Sequence, residues 1–298
     1  MTRLRVMTYN MLHAPGDRLG PLVEVVKAVS PDVLACQEVN TFDGVMALSR
    51  ELDMLPVWGA ANSPEDYRDG QPVFEHLVVL TRLAPRAVYV HPGDRRAMFR
   101  PVLEVRLQAP GGPEITTFTV HLRAAIDPSE RYLKFRELGS LLAVLGEADG
   151  PAIAMGDFNA MAPGDGGPVG PGPGGSELPE DHVVAVRGGV VGAVLDAGFV
   201  DSYRLRHAPD GGDESTLLGR PGRRLDHIFV TSSLQPFVAD SYIVDNEMVQ
   251  VASDHRPVVT EFDFTAGDDA ANGAGAGAVR GVDGHLAFSS TPEMRRSY

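Results

Sequence analysis

Several apolar runs in this chain end in residues that can hold a divalent cation or a phosphate group. The first closes on Thr8, Tyr9 and Asn10, and the run Val33-Leu34-Ala35-Cys36 leads into Gln37 and Glu38. Thr116 to Val120 runs into His121, and Ala152 to Met155 runs into Gly156, Asp157, Phe158 and Asn159. Further on come Arg224-Leu225-Asp226-His227-Ile228 and Ser253-Asp254-His255-Arg256-Pro257. Carboxylate oxygens suit Mg2+ or Mn2+ better than zinc. Imidazoles supply hydrogen bonds to charge growing on oxygen, and a neighbouring acid fixes their tautomer. Taken singly, each piece has a plainer use: Asn10 as a turn cap, Glu38 as a solvated loop acid, His121 as a satisfied core histidine. Gly-Asp-Phe-Asn is an ordinary turn sequence and Ser-Asp-His an ordinary N-cap or turn. The whole ordered set is what resists those readings.

To bring these residues together the chain must place several strand ends at one edge of a sandwich. Short apolar runs rich in β-branched residues, bounded by Gly, Pro, Asp or Asn, predict strands near 3–9, 32–38, 76–82, 86–91, 101–108, 115–122, 152–157, 225–231, 238–244 and 256–264. Helical spacing is expected from Pro21, taken as a first helical residue, through Leu22, Val25, Val26 and Val29. Further helices are expected over 43–52, over 129–148 with Leu133, Leu138, Leu141, Leu142 and Leu145, and near 190–197. The pattern predicts a layered α/β sandwich. Residues 161–175 hold seven glycines and four prolines and read as a long loop at the rim of the cleft, while Thr265–Gly284 reads as a flexible extension. One catalytic domain over 1–264 followed by a tail over 265–298 is the simplest partition.

Composition excludes other classes. Of the 298 residues 43% are apolar and 22% charged, which suits a folded globular protein. The net charge of −14 disfavours binding a nucleic-acid backbone by bulk electrostatics, but leaves room for a nuclease with locally supplied positive charge. Cys36 is the only cysteine, so neither an intrachain disulfide nor a thiolate zinc site is expected. The N-terminal segment has no apolar stretch of the secretory kind, and no run approaches the roughly 18–20 apolar residues of a membrane span. The expected compartment is the cytoplasm, and no protein partner is predicted.

The ordered set resembles the endonuclease/exonuclease/phosphatase superfamily, which includes pancreatic deoxyribonuclease, neutral sphingomyelinase and the inositol polyphosphate 5-phosphatases. The matching segments are RVMTYNML, PDVLACQEV, VHL, AMGDFN, RLDHIFV and SDHRPVV, in family order across residues 3–264. The resemblance implies a four-layered α/β sandwich with two central mixed β-sheets flanked by helices. It implies Glu38 as a ligand of Mg2+ or Mn2+, with Asn10 and Asp254 near the same ion. Asp157 matches the carboxylate that orients or deprotonates the attacking water, and Asn159 a neighbour that contacts the phosphate. His255 matches a histidine on the phosphoryl oxygen, with Asp226 orienting it. In the deoxyribonuclease-like and sphingomyelinase-like branch, His121 matches a second active-site histidine, Glu75 its paired glutamate and Arg100 a phosphate-contacting arginine.

The substrate implied is a phosphoester, either nucleic acid or a small molecule. The chain lacks the aromatic-rich segment of the apurinic-site endonuclease branch. It has only two lysines, Lys27 and Lys134, too few for the polyphosphate grip of inositide phosphatases. Arg95, Arg96 and Arg100, with Arg220, Arg223 and Arg224, form two small basic clusters expected to flank the cleft. The leading expectation is a metal-dependent phosphodiesterase, with nuclease activity its most familiar form. The alternatives are a phosphatase of a small metabolite or biosynthetic intermediate, and a non-catalytic binding module.

Overall fold

The computed structural model describes residues 2–14, 16–95, 98–124, 128–165, 189–208 and 214–265. In chain order its strands are β1 (Arg3–Ala14), β2 (Val33–Val39), β3 (Leu55–Gly59), β4 (Asp66–Arg68), β5 (Gln71–Val73), β6 (His76–Thr81) and β7 (Pro85–His91). They continue as β8 (Val102–Gln108), β9 (Glu114–His121), β10 (Ala152–Asp157), β11 (Phe199–Asp201), β12 (Asp226–Thr231), β13 (Val238–Ile243) and β14 (Val258–Asp263). The helices are α1 (Leu19–Val29), α2 (Phe42–Leu52), α3 (Pro128–Gly146), α4 over residues 189–196, and α5 (Glu247–Ala252).

Two six-stranded sheets carry the fold, ordered β13-β14-β1-β2-β6-β3 and β11-β12-β10-β9-β8-β7. Each contains one parallel pair, β1 with β2 and β9 with β10, and is otherwise antiparallel. A helix makes each parallel crossover, α1 between β1 and β2 and α3 between β9 and β10. Alternation along the strands then sorts the side chains into layers. Leu4 and Val6 of β1, Val33 and Ala35 of β2, Ile153 and Met155 of β10, and Ile228 and Val230 of β12 meet between the sheets. The intervening residues Met7, Tyr9, Leu34 and Cys36 face outward to α1, α2 and α5. On the far side Phe118, Val120, Ala152, Ala154 and Phe229 face α3 and α4. The result is helix, sheet, sheet, helix: the expected sandwich of two central mixed sheets.

All ten strands expected from the sequence are present, shifted at their ends by a few residues. Helix α1 begins two residues before Pro21, after a single 3-10 turn at Gly16–Arg18. Pro21 still lies in the first turn, where a backbone N–H has no intrahelical acceptor to lose. The strands β3, β4, β5 and β11 and the helix α5 were not expected. Most are too short for a periodicity to emerge, and the β4–β5 hairpin carries no apolar alternation. Loop residues from 166 to 175, Arg96 and the tail beyond Thr265 fall outside the described residues. Among the described residues no helix is long and apolar enough to cross a membrane.

Candidate active site

The parallel pairs run the same way in each sheet, so their C-terminal ends gather polar residues at one edge. Asp157 lies in register with His121 on β9 and opposite Asp226 on β12. By the same alternation that points Ile153 and Met155 between the sheets, Asp157 points there too, at the mouth of the core. Asn10 follows Leu4 and Val6 in the same phase on β1. Glu38 would face the other way, but a register irregularity between Cys36 and Val39 and a left-handed φ of 57° at Glu38 break the alternation and turn its carboxylate toward Asn10.

Asn10 is fully buried and donates from Nδ2 to Glu38 Oε1 at 2.9 Å and to Asp157 Oδ2 at 3.0 Å. Its amide oxygen accepts from the Leu12 N–H at 3.1 Å. Asn10 thus ties the Glu38 carboxylate of one sheet to the Asp157 carboxylate of the other. Asp157 Oδ1 accepts from the Asn159 N–H at 2.8 Å, and Asn159 Nδ2 donates to Leu122 O at 2.9 Å. Asp157 Oδ2 also lies 3.3 Å from Asn159 Nδ2, 3.5 Å from His121 Nε2 and 4.0 Å from His255 Nε2. Burial, reinforced by Asp226, pushes the Asp157 carboxyl up to about 6, against the pull of His255 and its hydrogen-bond donors.

His255 sits on the turn before β14. Its Nδ1 donates to Asp226 Oδ2 at 2.7 Å, leaving Nε2 turned toward Asp157. Burial alone would lower its pKa, but Asp226, Asp157 and Asp254 outweigh it and push the imidazole up to about 10. It is therefore a cation at neutral pH. The turn is anchored by Ser253, whose hydroxyl donates to Asn10 O at 2.7 Å and accepts from the His255 N–H at 3.2 Å. Asp226 is placed by Thr216, whose Oγ1 accepts from the Leu225 and Asp226 N–H groups at 2.9 and 3.1 Å.

Two expected arrangements are corrected. Glu75 does not pair with His121: it binds Arg100 through Oε2 and lies 3.2 Å from His13 Nδ1 through Oε1, while His121 Nδ1 has no hydrogen-bond partner. The Arg100 guanidinium, 4% exposed, is taken up by Glu75 and by Glu65 at 3.2 Å. Burial and Arg100, with His255 and Lys134 beyond, hold the His121 imidazole well below its usual range, so it is neutral. Arg224 does not flank a cleft either. It is fully buried, bound by Asp201 at 2.6 Å and Asp165 at 2.8 Å, with His227 Nδ1 at 3.0 Å from its Nη1. Arg220 and Arg223 are half-buried and Arg95 is exposed.

Among the described residues two groups of ligand-type atoms form, His13 with Glu38 and Glu75, and Asp157 with Asp226 and His255. Asp254 belongs to neither: it is exposed, beside His255. Burial and the neighbouring Glu75 push the Glu38 carboxyl up to about 7. Crowded carboxylates that repel one another in this way suit a hard cation, which the oxygen-rich donor set fits. Residues that sequence reasoning passed over are His13, Thr216, Glu65 and Lys134. His13 lies only three residues after Asn10, the one local signal that would have pointed to it.

The chain belongs to the Endonuclease/Exonuclease/phosphatase family, whose model matches residues 7–255. A comparison with curated proteins gave no match. Among solved structures it is similar to an endonuclease/exonuclease/phosphatase from Beutenbergia cavernae, with 21% identity, a TM-score of 0.65, and coverage of 88% of this chain and 72% of that one. It is also similar to the Neisseria 3′ phosphatase NExo bound to a product DNA hairpin, with 20% identity, a TM-score of 0.66, and coverage of 88% and 100%. An AP endonuclease from Archaeoglobus fulgidus gives 20% identity, a TM-score of 0.64, and coverage of 87% and 99%. At these identities the likeness is one of fold.

Proposed function

We propose that the protein is a divalent-metal-dependent phosphoesterase that hydrolyses a phosphodiester, as endonucleases and exonucleases do, by in-line attack of a water activated at Asp157. The observation that carries this reading is the convergence on one carboxylate oxygen, Asp157 Oδ2, of Asn10 at 3.0 Å, His121 at 3.5 Å and His255 at 4.0 Å. A carboxyl raised to about 6 is matched to taking a proton near neutral pH. The His255 imidazolium, held by Asp226, hydrogen-bonds the phosphoryl or leaving oxygen as negative charge grows there. Neutral His121 and Asn159 contact the phosphoryl group. A Mg2+ or Mn2+ ion held by Glu38, with Asn10 and Asp254 nearby, would supply the charge neutralisation that lets a nucleophile approach an anionic ester. The test is hydrolysis of plasmid DNA, RNA and bis-p-nitrophenyl phosphate with Mg2+ or Mn2+, in EDTA, and with Asp157→Asn. Activity that disappears in EDTA and in the variant supports the reading; full activity in chelator refutes it.

One observation favours a second reading, a phosphatase or phosphodiesterase of a small metabolite. Arg100, matched to a phosphate-contacting arginine, and Arg224, expected to flank the cleft, are neutralised internally by Asp165, Asp201, Glu65 and Glu75. Salt separates the two. An enzyme that tracks a polyanion loses affinity steeply between 50 and 200 mM salt, by roughly a thousandfold or more for several phosphate contacts, whereas a small-substrate enzyme loses little.

A further inference from the structure

Helix α3 buries a face that is apolar only in its second half. Leu138, Leu141 and Leu145 pack into the core, but the turn before them buries Lys134 and Glu137, which are 1% and 2% exposed. Leucine or methionine would fill the same space without the cost of taking charges out of water. The two charges instead grip backbone. Glu137 Oε2 accepts from the Arg123 N–H at 2.8 Å, and Lys134 Nζ donates to Arg123 O at 2.8 Å, so both sides of residue 123 are held from one helical turn. The same ammonium donates to Phe158 O at 3.2 Å and to Asn159 O at 2.7 Å.

These carbonyls belong to the two loops that leave the site, one following His121 on β9 and the other following Asp157 on β10. Asn159 has a left-handed φ of 46°, a conformation a non-glycine residue keeps only when its surroundings hold it. From in front it is held by Asp157 Oδ1 and Leu122 O, and from behind by Lys134. We propose that Lys134, partnered by Glu137, is a positioning residue of the hydrolytic site: its buried ammonium draws the carbonyls of both loops onto α3 and so holds Asn159 in the left-handed conformation in which it meets Asp157. This rests on the phosphoesterase reading given above. Lys27, the other lysine, is exposed beside Glu51 and has no such place.

The experiment is a double-mutant cycle between Lys134→Met and Asn159→Ala, read as kcat/KM for bis-p-nitrophenyl phosphate with Mn2+, with Tm measured for each variant. A displacement of a positioned group by about 1 Å costs on the order of 100-fold. Lys134→Met is therefore expected to lower kcat/KM about 100-fold in the wild-type background, but less than about 3-fold further once Asn159 is alanine, since groups acting as one unit are not additive. A loss of equal factor in both backgrounds, or a lower Tm with kcat/KM unchanged, overturns the proposal while leaving the phosphoesterase reading intact. Wild-type protein that hydrolyses no phosphoester overturns both. Should Lys134→Met not fold, Lys134→Arg keeps the charge but moves it on a longer, planar group, and the same non-additivity with Asn159→Ala is expected.

Discussion

The pair His255–Asp226 allows the most quantitative test. Asp226→Asn keeps the shape of the residue but removes the charge that most strongly favours the imidazolium. A rise of the His255 pKa from 6.5 to about 10 corresponds, at about 1.4 kcal/mol per unit, to roughly 4–5 kcal/mol favouring the charged form. His255 is buried, so solvent screening takes little of this away. Asp226 contributes more of this than Asp157 or Asp254, so removing its charge should cost about 2–3 kcal/mol, half of the total or more. The folded-state pKa lies above the unfolded value, so this stability is complete below about pH 6.5 and is lost as pH rises through about 10. Urea unfolding in EDTA should therefore show Asp226→Asn less stable than wild type by about 2–3 kcal/mol at pH 6, with the gap closing toward pH 11. The His255 ring proton, followed by NMR, should titrate well below 10 in the variant. A gap independent of pH, or a variant histidine that still titrates near 10, would refute the argument that Asp226 holds the charge.

Three other outcomes are expected. His255→Gln should slow a diester with an alkyl leaving group more than one with p-nitrophenolate, because the imidazolium can protonate a poor leaving group; neutral His121 cannot, so His121→Ala should slow both alike, and comparison of kcat on the two substrates decides. Gly156 has φ 150°, and a Cβ there would stand 1.9 Å from Val120 O on the neighbouring strand, so Gly156→Ala should lower the urea-unfolding free energy by about 3 kcal/mol; an unchanged midpoint contradicts this. His227 accepts from Arg224 at Nδ1 and so must donate from Nε2 to Ala160 O at 2.7 Å, a neutral ring whose pKa burial and Arg224 push down to about 4. With the folded value below the unfolded one, wild type should lose about 2–3 kcal/mol between pH 6.5 and 4.5 that His227→Gln does not lose.

Much of the architecture was legible because it rests on local rules. Runs such as Val33–Cys36 and Ala152–Met155 are short, apolar and bounded by turn formers, so they announce strands, and the leucines of α3 announce a helix. The residues that gather at the candidate site were legible for the same reason: Asn10, Glu38, His121 and Asp157 stand where apolar runs end and Asp226 where one begins, and these strand ends meet at one edge. The short elements β4, β5 and β11 were not legible, since three residues set no period, and β11 takes its pairing from β12, about thirty residues further along the chain.

Which charge meets which was decided only in three dimensions. Spacing cannot tell that Glu75 takes Arg100 and His13 rather than His121, because β6, β8 and β9 reach the site from different parts of two sheets. Nor can it tell that Arg224 turns inward to Asp165 and Asp201 while Arg223, next to it, does not; that follows from which face of the chain leading into β12 looks onto the core. Lys134 reads from sequence as an ordinary surface position in a leucine-rich helix. It becomes part of the site because α3, the crossover that makes β9 and β10 parallel, lies against the two loops those strands send out, and backbone carbonyls there need a donor that water cannot reach. Element types follow from patterns a few residues long, whereas the pairing of buried charges follows from packing, in which every partner is supplied by a remote part of the chain.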